Sequence, residues 1–268
     1  MMLQIDGETE VFPIIGHPIG QVKSPTALSA IMAECGFNGM VVPVHILPED
    51  LDAWLEQAIK MRNCNGIVIT VPHKVPCLRF CRQVTARAKA SGAVNIMIRD
   101  GESWIGDATD GHGYLDGIAA RGFDVAGKSA LLVGSGGAGS AIAYEILARG
   151  AADLAIHDID APKRDRLIAG LNAAFPGRAR VGSTDPRGFD LVANATPLGM
   201  RESDPLPVMT EHLSAAQFVA DVVTRPAIPA LIAAAQQAGC KTMAGSGMFD
   251  AQAVLLAELL MGSRKIML

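Results

Sequence analysis

Residues Ser129 to Val133 read as an apolar strand that runs directly into Gly134-Ser135-Gly136-Gly137-Ala138-Gly139, and an apolar helical stretch follows from Gly137 to Ala148. A G-x-G-x-x-G pattern means little by itself, but between a strand and a helix each glycine has a mechanical role. The first, Gly134, makes the tight turn. The second, Gly136, lets backbone approach a phosphate, and the third, Gly139, brings helix and strand into close contact. Gly137 and Ala138 open the helix, whose free N–H groups and positive dipole end suit an anion. The segment therefore calls for a βαβ unit with parallel strands.

The rest of the 268-residue chain supports an α/β fold of two domains. Strands are expected at Val11–Gly16, Gly39–Pro43, Gly66–Val71 and Gly92–Ile98. Helices are expected from Ser24-Pro25 to about Cys35 and over Leu51–Met61. Serine can cap the first of these while proline takes the first helical position. Helix Asp110–Ala120 follows, and at Ser129 the pattern restarts. Strands Asp153–His157, Leu191–Asn194 and Phe218–Val222 then alternate with helices Pro162–Ala174, Ile228–Ala238 and Gly247–Leu260. This alternation predicts parallel sheets with helices on both faces. The boundary is placed near Gly111, giving an N-terminal α/β domain over 1–111 and a Rossmann-type dinucleotide-binding domain over 112–244. The final segment, from about 245 to 268, is expected to pack back onto the first domain.

Composition excludes several function classes. Half of the residues are apolar, the net charge is −4, and no Lys/Arg run stands out, which argues against a nucleic-acid partner. No apolar run reaches the roughly 18 residues that span a bilayer. Met1 to Val11 lacks the apolar core of a signal peptide, so a cytoplasmic location is the expectation. The five cysteines are scattered, which argues against a disulfide framework. Cys77 and Cys81 lie four apart, as on one helix face, but no histidine or further cysteine stands at a spacing useful for a metal, and none is expected.

About 20 residues beyond the glycine cluster, the second strand ends in His157-Asp158-Ile159-Asp160. An acidic side chain there accepts hydrogen bonds from ribose hydroxyls and repels a 2′-phosphate, so Asp158 argues for NAD over NADP. Asp160 fits better as a cap of the following helix. Lys163 and Arg164 keep NADP use open. Hydride exchange between an alcohol and a ketone also needs a proton partner on the oxygen. Lys74, after Thr70-Val71-Pro72-His73 at a strand end, and Asp110, at a helix start, are the candidates; taken singly, each is more often a surface residue or a cap.

Seven segments in chain order resemble the shikimate dehydrogenase family: Gly16-His17-Pro18-Ile19 with Ser24-Pro25; Thr70-Val71-Pro72-His73-Lys74; Gly92-Ala93-Val94-Asn95; Thr109-Asp110-Gly111; Gly134 to Gly139; Asn194-Ala195-Thr196-Pro197-Leu198-Gly199-Met200; and Gly245-Ser246-Gly247-Met248 with Gln252-Ala253. The resemblance implies reversible hydride transfer between NAD(P) and shikimate, quinate or a related alicyclic hydroxy acid, in a cleft between the domains. It implies Lys74 as general acid/base with Asp110 as its partner. Ser24 would contact a carboxylate, and Thr70, Asn95 and Gln252 would bind substrate hydroxyls. Asn194, Thr196, Val222, Gly245 and Met248 would lie along the cofactor. Relatives are monomers or homodimers.

The chain departs from the family pattern in places. Val22 stands where a first serine is usual, Gln21 where histidine is, and Thr224 where a tyrosine helps hold the carboxylate. Val68 and Ala108 each replace an asparagine, and Asp158 replaces an arginine of NADP-using members. If Val22 and Thr224 line the carboxylate pocket, each lost donor costs about 1–3 kcal/mol. Two such losses weaken shikimate binding by on the order of 10²-fold, unless Gln21 and Lys23 compensate.

Two rival readings are a nucleotide-binding sensor without catalysis and a dehydrogenase redirected to another cyclic hydroxy compound. The presence of both Lys74 and Asp110 speaks against the sensor. Quinate oxidation with NAD would indicate catabolic use, and turnover of 3-dehydroshikimate with NADPH a biosynthetic one. If Asp158 faces the ribose, Asp158→Arg shifts cofactor preference toward NADP; paired KM measurements with NAD and NADP check this, and an unchanged ratio removes Asp158 from that role.

Overall fold

The computed structural model describes residues 5–20, 22–264 and 266; Gln21 lies outside them. The chain divides into two compact units, Met1–Thr109 with Ala253–Leu268, and Asp110–Gln252.

The first unit is built on a six-stranded sheet of order β2-β1-β3-β5-β6-β4. The strands are β1 (Glu10–Gly16), β2 (Gly39–His45), β3 (Gly66–Ile69), β4 (Cys81–Val84), β5 (Ile96–Asp100) and β6 (Ser103–Asp107). Helices α1 (Ser24–Glu34), α2 (Leu51–Ala58) and α3 (Ala86–Ser91) accompany it. β1 pairs in parallel with β2 and β3, but β5 is antiparallel to both β3 and β6. This sheet is therefore mixed, contrary to the all-parallel expectation. The cause is local: Asp100 pairs with Ser103 across a two-residue turn in which Gly101 takes φ 62°, so β5 and β6 form a hairpin.

Other elements also differ from the sequence reading. Gly92, expected to start a strand, ends α3 in the left-handed region at φ 64°. Ser24 does not cap α1; Lys23 holds the cap position without a side-chain bond, and Ser24 and Pro25 are the first helical residues. Cys77 sits in a short 3-10 turn and Cys81 begins β4, so they share no α-helical face.

The second unit contains β7 (Ser129–Val133), β8 (Asp153–His157), β9 (Ala179–Val181), β10 (Leu191–Asn194), β11 (Phe218–Asp221) and β12 (Lys241–Met243). These form an all-parallel sheet of order β12-β11-β10-β7-β8-β9. Its helices are α4 (Asp110–Ala119), α5 (Gly137–Ala148), α6 (Ala161–Ala174) and α7 (Ala230–Gln237). The strand order reverses between β7 and β10, which makes the carboxyl ends of these two strands the place where such sheets hold ligands. Asp160 caps α6 by accepting from the Lys163 N–H at 3.0 Å, the role its position suggested.

The long helix α8 (Gly245–Leu260) is divided between the units. Met248 packs on the second core with Tyr114, Ile142 and Phe218. Leu256 and Leu260 belong to the first core with Phe12, Leu28 and Ile96. Helical periodicity marks an apolar stripe but not which core each turn of it joins, so the sequence placed the division at 245 where the structure places it at Ala253.

Helices α4 and α5 meet closely. A Cβ on Gly111 would lie 2.2 Å from the Ala141 carbonyl oxygen, a distance no side chain tolerates. Beneath this contact, buried Glu145 receives His112 Nδ1 at 2.8 Å and Arg149 Nε at 2.8 Å. Burial by itself would push the Glu145 carboxyl up; the hydrogen bonds from His112 and Arg149 outweigh it and hold it below its usual value. A carboxyl depressed by folding adds stability above its unfolded pKa of about 4.3, and that contribution disappears as pH falls through the folded value. Glu145→Gln is expected to cost about 1–3 kcal/mol at neutral pH. Urea unfolding at neutral and acid pH checks this, with the difference between variant and wild type closing at acid pH.

Candidate active site

In the second unit, a cavity of about 410 Å³ opens at the carboxyl ends of β7, β8 and β10. Gly134 and Gly136 form one side of it, His157 to Ile159 another, and Ala195 to Leu198 a third. The three motif glycines differ in the way their spacing predicts. Gly134 has φ 103° and abuts Ala195 and Thr196. Gly136 caps α5 without a side chain, and a Cβ there would meet only Lys163 Nζ, 3.8 Å away. Gly139 is packed so tightly that its Cβ would lie 2.1 Å from the Gly134 carbonyl oxygen. A backbone open toward the cavity at a helix N-terminus suits a pyrophosphate, and Gly137 and Ala138 supply the first helical N–H groups.

Asp158 stands on the rim of this cavity. Its Oδ2 accepts from the Ser135 N–H and the Ser135 hydroxyl, both at 2.6 Å, and its Oδ1 accepts from the Asp160 N–H at 2.9 Å. Partial burial pushes the Asp158 carboxyl up, but these hydrogen bonds and the nearby Lys163 charge prevail and hold it below the usual carboxylate range. It is therefore ionised at neutral pH, with about one of four lone-pair sites left for a ligand hydroxyl. Sequence reading did not find Ser135 as its anchor. Nor did it find Ile159, which is 98% exposed beside the cavity and offers an apolar face. Neither residue type carries such a signal without the fold. Asn194 is fully buried behind the cavity, and Val222, Gly245 and Met248 do not line it. Gly245 instead backs onto Val222, where a Cβ would lie 2.4 Å from the Val222 carbonyl oxygen.

Asp110 begins α4 in the same unit, largely buried, and its Oδ1 accepts from Gln252 Nε2 at 2.9 Å. Gln252, expected to bind a substrate hydroxyl, thus also orients the Asp110 side chain. Thr224 is exposed beyond β11.

The other candidates lie in the first unit. Lys74 follows β3 in a turn where the Thr70 carbonyl accepts the His73 N–H at 3.0 Å and the Lys74 carbonyl accepts the Val94 N–H at 2.9 Å. His73 is fully buried, with Nε2 2.8 Å from the Ile46 carbonyl, which ties this turn to the end of β2. Thr70 packs its methyl against Gly16. The Asn95 amide spans to Thr109: Nδ2 donates to the Thr109 hydroxyl at 2.9 Å, and Oδ1 accepts the Thr109 N–H at 2.8 Å. Ser24 is half-buried in the first turn of α1. Val22 packs on the core, and Val68 and Ala108 are buried, so these replacements for polar residues serve packing. Among the described residues no group of three or more His, Cys, Asp or Glu side chains is arranged to hold a metal ion, and no helix is long and apolar enough to cross a membrane.

Together the second sheet and its glycine turn define a dinucleotide-binding α/β architecture. The model of the shikimate dehydrogenase substrate binding domain matches residues 14–97. A shikimate dehydrogenase (NADP(+)) of Rubrobacter xylanophilus is 34% identical over 261 residues, which cover 94% of this chain and 90% of that protein. Among solved structures, the ligand-free 5-ketofructose reductase of Gluconobacter sp. superposes with a TM-score of 0.86 at 28% identity, over 97% of this chain and 95% of that one. Quinate dehydrogenase from Corynebacterium glutamicum in complex with NAD superposes with a TM-score of 0.85 at 27% identity, over 95% and 94%. The chain belongs to the shikimate dehydrogenase family, whose members are NAD(P)-dependent oxidoreductases acting on CH–OH groups.

Gly139→Ala forces α5 away from β7. It is expected to abolish dinucleotide binding and to lower stability by about 1–3 kcal/mol, the scale of overpacking; NADH fluorescence titration and thermal unfolding measure the two effects.

Proposed function

We propose that this protein is a dehydrogenase of a cyclic hydroxy compound of the shikimate and quinate type, and that it uses NAD in preference to NADP. The observation that carries the reading is the ionised Asp158 on the rim of a cavity bounded by the glycine turn. A fixed negative charge there favours a ribose with free hydroxyls and disfavours a 2′-phosphate. The quinate dehydrogenase with NAD bound has the same fold. Lys163, near Gly136 and Asp158, leaves a route for weaker NADP use.

The dinucleotide, when bound, supplies the hydride acceptor or donor. Gly136 and the N-terminus of α5 would hold its phosphates and Asp158 its ribose, with Thr196 on the cavity wall. Gly134, Gly137, Ala138 and Gly139 shape the turn; Asn194, Val222, Gly245 and Met248 belong to its surroundings. Lys74 takes the hydroxyl proton during oxidation and returns it during reduction. Asp110, held by Gln252, is the second charged group of the reaction. Ser24, Thr70, Asn95 and Gln252 contribute to substrate binding. In this reading the unit of Met1–Thr109 with Ala253–Leu268 is the substrate domain and unit Asp110–Gln252 the cofactor domain.

A second reading is favoured by Val22 and Thr224, at positions where donors for a carboxylate are usual. A substrate without that carboxylate fits such a site, and the Gluconobacter reductase of similar fold is named for 5-ketofructose. A spectrophotometric assay with NAD and NADP, each offered shikimate and quinate, separates the readings. NAD reduction with either acid supports the first. No turnover with either, in protein that binds NAD, supports the second. With any active pair, Lys74→Ala is expected to lower kcat by about 10²–10⁴-fold while NAD affinity stays unchanged, the range of a lost general acid/base; stopped-flow turnover and NAD titration check both, and lost NAD affinity removes Lys74 from proton transfer.

A further inference from the structure

The wall of the cavity formed by Ala195 to Leu198 hangs from one buried carboxylate. Asp221 ends β11 and is fully buried. Its Oδ1 accepts from Asn194 Nδ2 at 3.0 Å and from the Val223 N–H at 2.9 Å. Asn194, on the neighbouring β10, carries the constraint outward. Its Oδ1 accepts from the Thr196 N–H at 3.0 Å and the Thr196 hydroxyl at 2.7 Å, and its Nδ2 also reaches the Leu198 carbonyl at 3.3 Å. Thr196 Oγ1 in turn accepts the Leu198 N–H at 3.2 Å. One chain of hydrogen bonds thus runs from a fully buried carboxylate to a loop that faces the cavity.

We propose that Asp221 is a positioning residue for dinucleotide binding: through Asn194 it holds the Thr196–Leu198 wall in the shape that receives the cofactor. The inference rests on the reading that this cavity takes a dinucleotide.

Folding alone gives little reason for a carboxylate at this place. Among the described residues, Asp221 Oδ2 has no hydrogen-bond partner, nor has the buried Tyr114 hydroxyl of α4, although such groups are almost always paired. Burial pushes the Asp221 carboxyl up to about 6, against the N–H of Val223 and the amide of Asn194. Burial also drives the Tyr114 phenol well above its usual value, and the Asp221 charge adds to that. An amide or an apolar side chain would avoid this conflict. Residues that strain the fold directly behind a ligand site are characteristic of function. Asp221 also ends its strand at the carboxyl edge of the sheet, beside the point where the strand order reverses.

The test is NADH fluorescence titration of wild type, Asp221→Asn, Asp221→Leu and Thr196→Val, with thermal unfolding of each. Asparagine keeps an accepting oxygen, so its Kd stays within about twofold of wild type, a difference well below one hydrogen bond. Leucine removes the acceptor and raises Kd about tenfold, the scale of one hydrogen bond to a charged group. Thr196→Val cuts the same chain at its outer link, in a half-buried loop, and raises Kd similarly. The double variant Asp221→Leu/Thr196→Val then binds no more weakly than the weaker single variant, because both break one chain. An unchanged Kd in Asp221→Leu, or an asparagine variant as weak as leucine, overturns the inference. If the leucine variant does not fold, an unchanged Kd in Thr196→Val overturns it instead. Failure of the wild-type protein to bind NADH or NADPH overturns the dinucleotide reading and this inference with it; binding that ignores all three substitutions overturns only the positioning role.

Discussion

The contact between Gly139 and the Gly134 carbonyl oxygen leaves no room for a methyl group, and the cavity beside the glycine turn depends on it. Because α5 lies that close to the end of β7, its N-terminus opens beside the cavity, and its cap residue Gly136 lines that cavity with bare backbone. The same closeness is repeated where Gly111 of α4 meets Ala141 of α5 and where Gly245 meets Val222. Three backbone approaches of this kind, each possible only without a Cβ, fix α5 against the end of β7, α4 against α5, and the start of α8 against the end of β11. Packing density then carries small shifts at one of these contacts into the others.

On that frame, the acidic residues take different states because their surroundings differ. Asp158 meets two donors from Ser135 and one from Asp160, and stays ionised on the rim. Asp221 meets two donors but is wholly buried, and is pushed up to about 6. Asp107, also fully buried, accepts from Thr85, the Ala108 N–H and both Nε and Nη2 of Arg87. One side-chain type thus provides a fixed charge, a titratable support and a hydrogen-bonded core anchor. Burial and the number of donors decide among them.

In the first unit, side chains expected to meet substrate also hold the scaffold. The Asn95 amide is bonded at both ends to Thr109, and His73 ties the Lys74 turn to the end of β2. These bonds limit the freedom of the groups proposed to do chemistry, and pre-organisation of that kind is a large part of what an enzyme scaffold contributes.

Much of the fold was legible in the sequence because it rests on local rules. The apolar strand before Gly134, the cap at Asp160 and the acidic end of β8 each follow from backbone geometry or charge within a few residues. The βαβ alternation of the second unit follows in the same way, and the ordered motifs placed the chain in its family. The elements that escaped were short or amphipathic in the wrong period: β4, β6, β9, β12 and α3 have three to six residues each, too few for periodicity to show. The hairpin that reverses β5 needed the pairing of Asp100 with Ser103, and the division of α8 needed to know which core each of its turns joins. Ser135 as the anchor of Asp158, and Asp221 beneath Asn194, join residues 23 and 27 positions apart. Such contacts depend on which strands become neighbours, so the sequence determined the parts and their chemistry, and the tertiary structure alone decided which carboxylates meet donors and which are left buried.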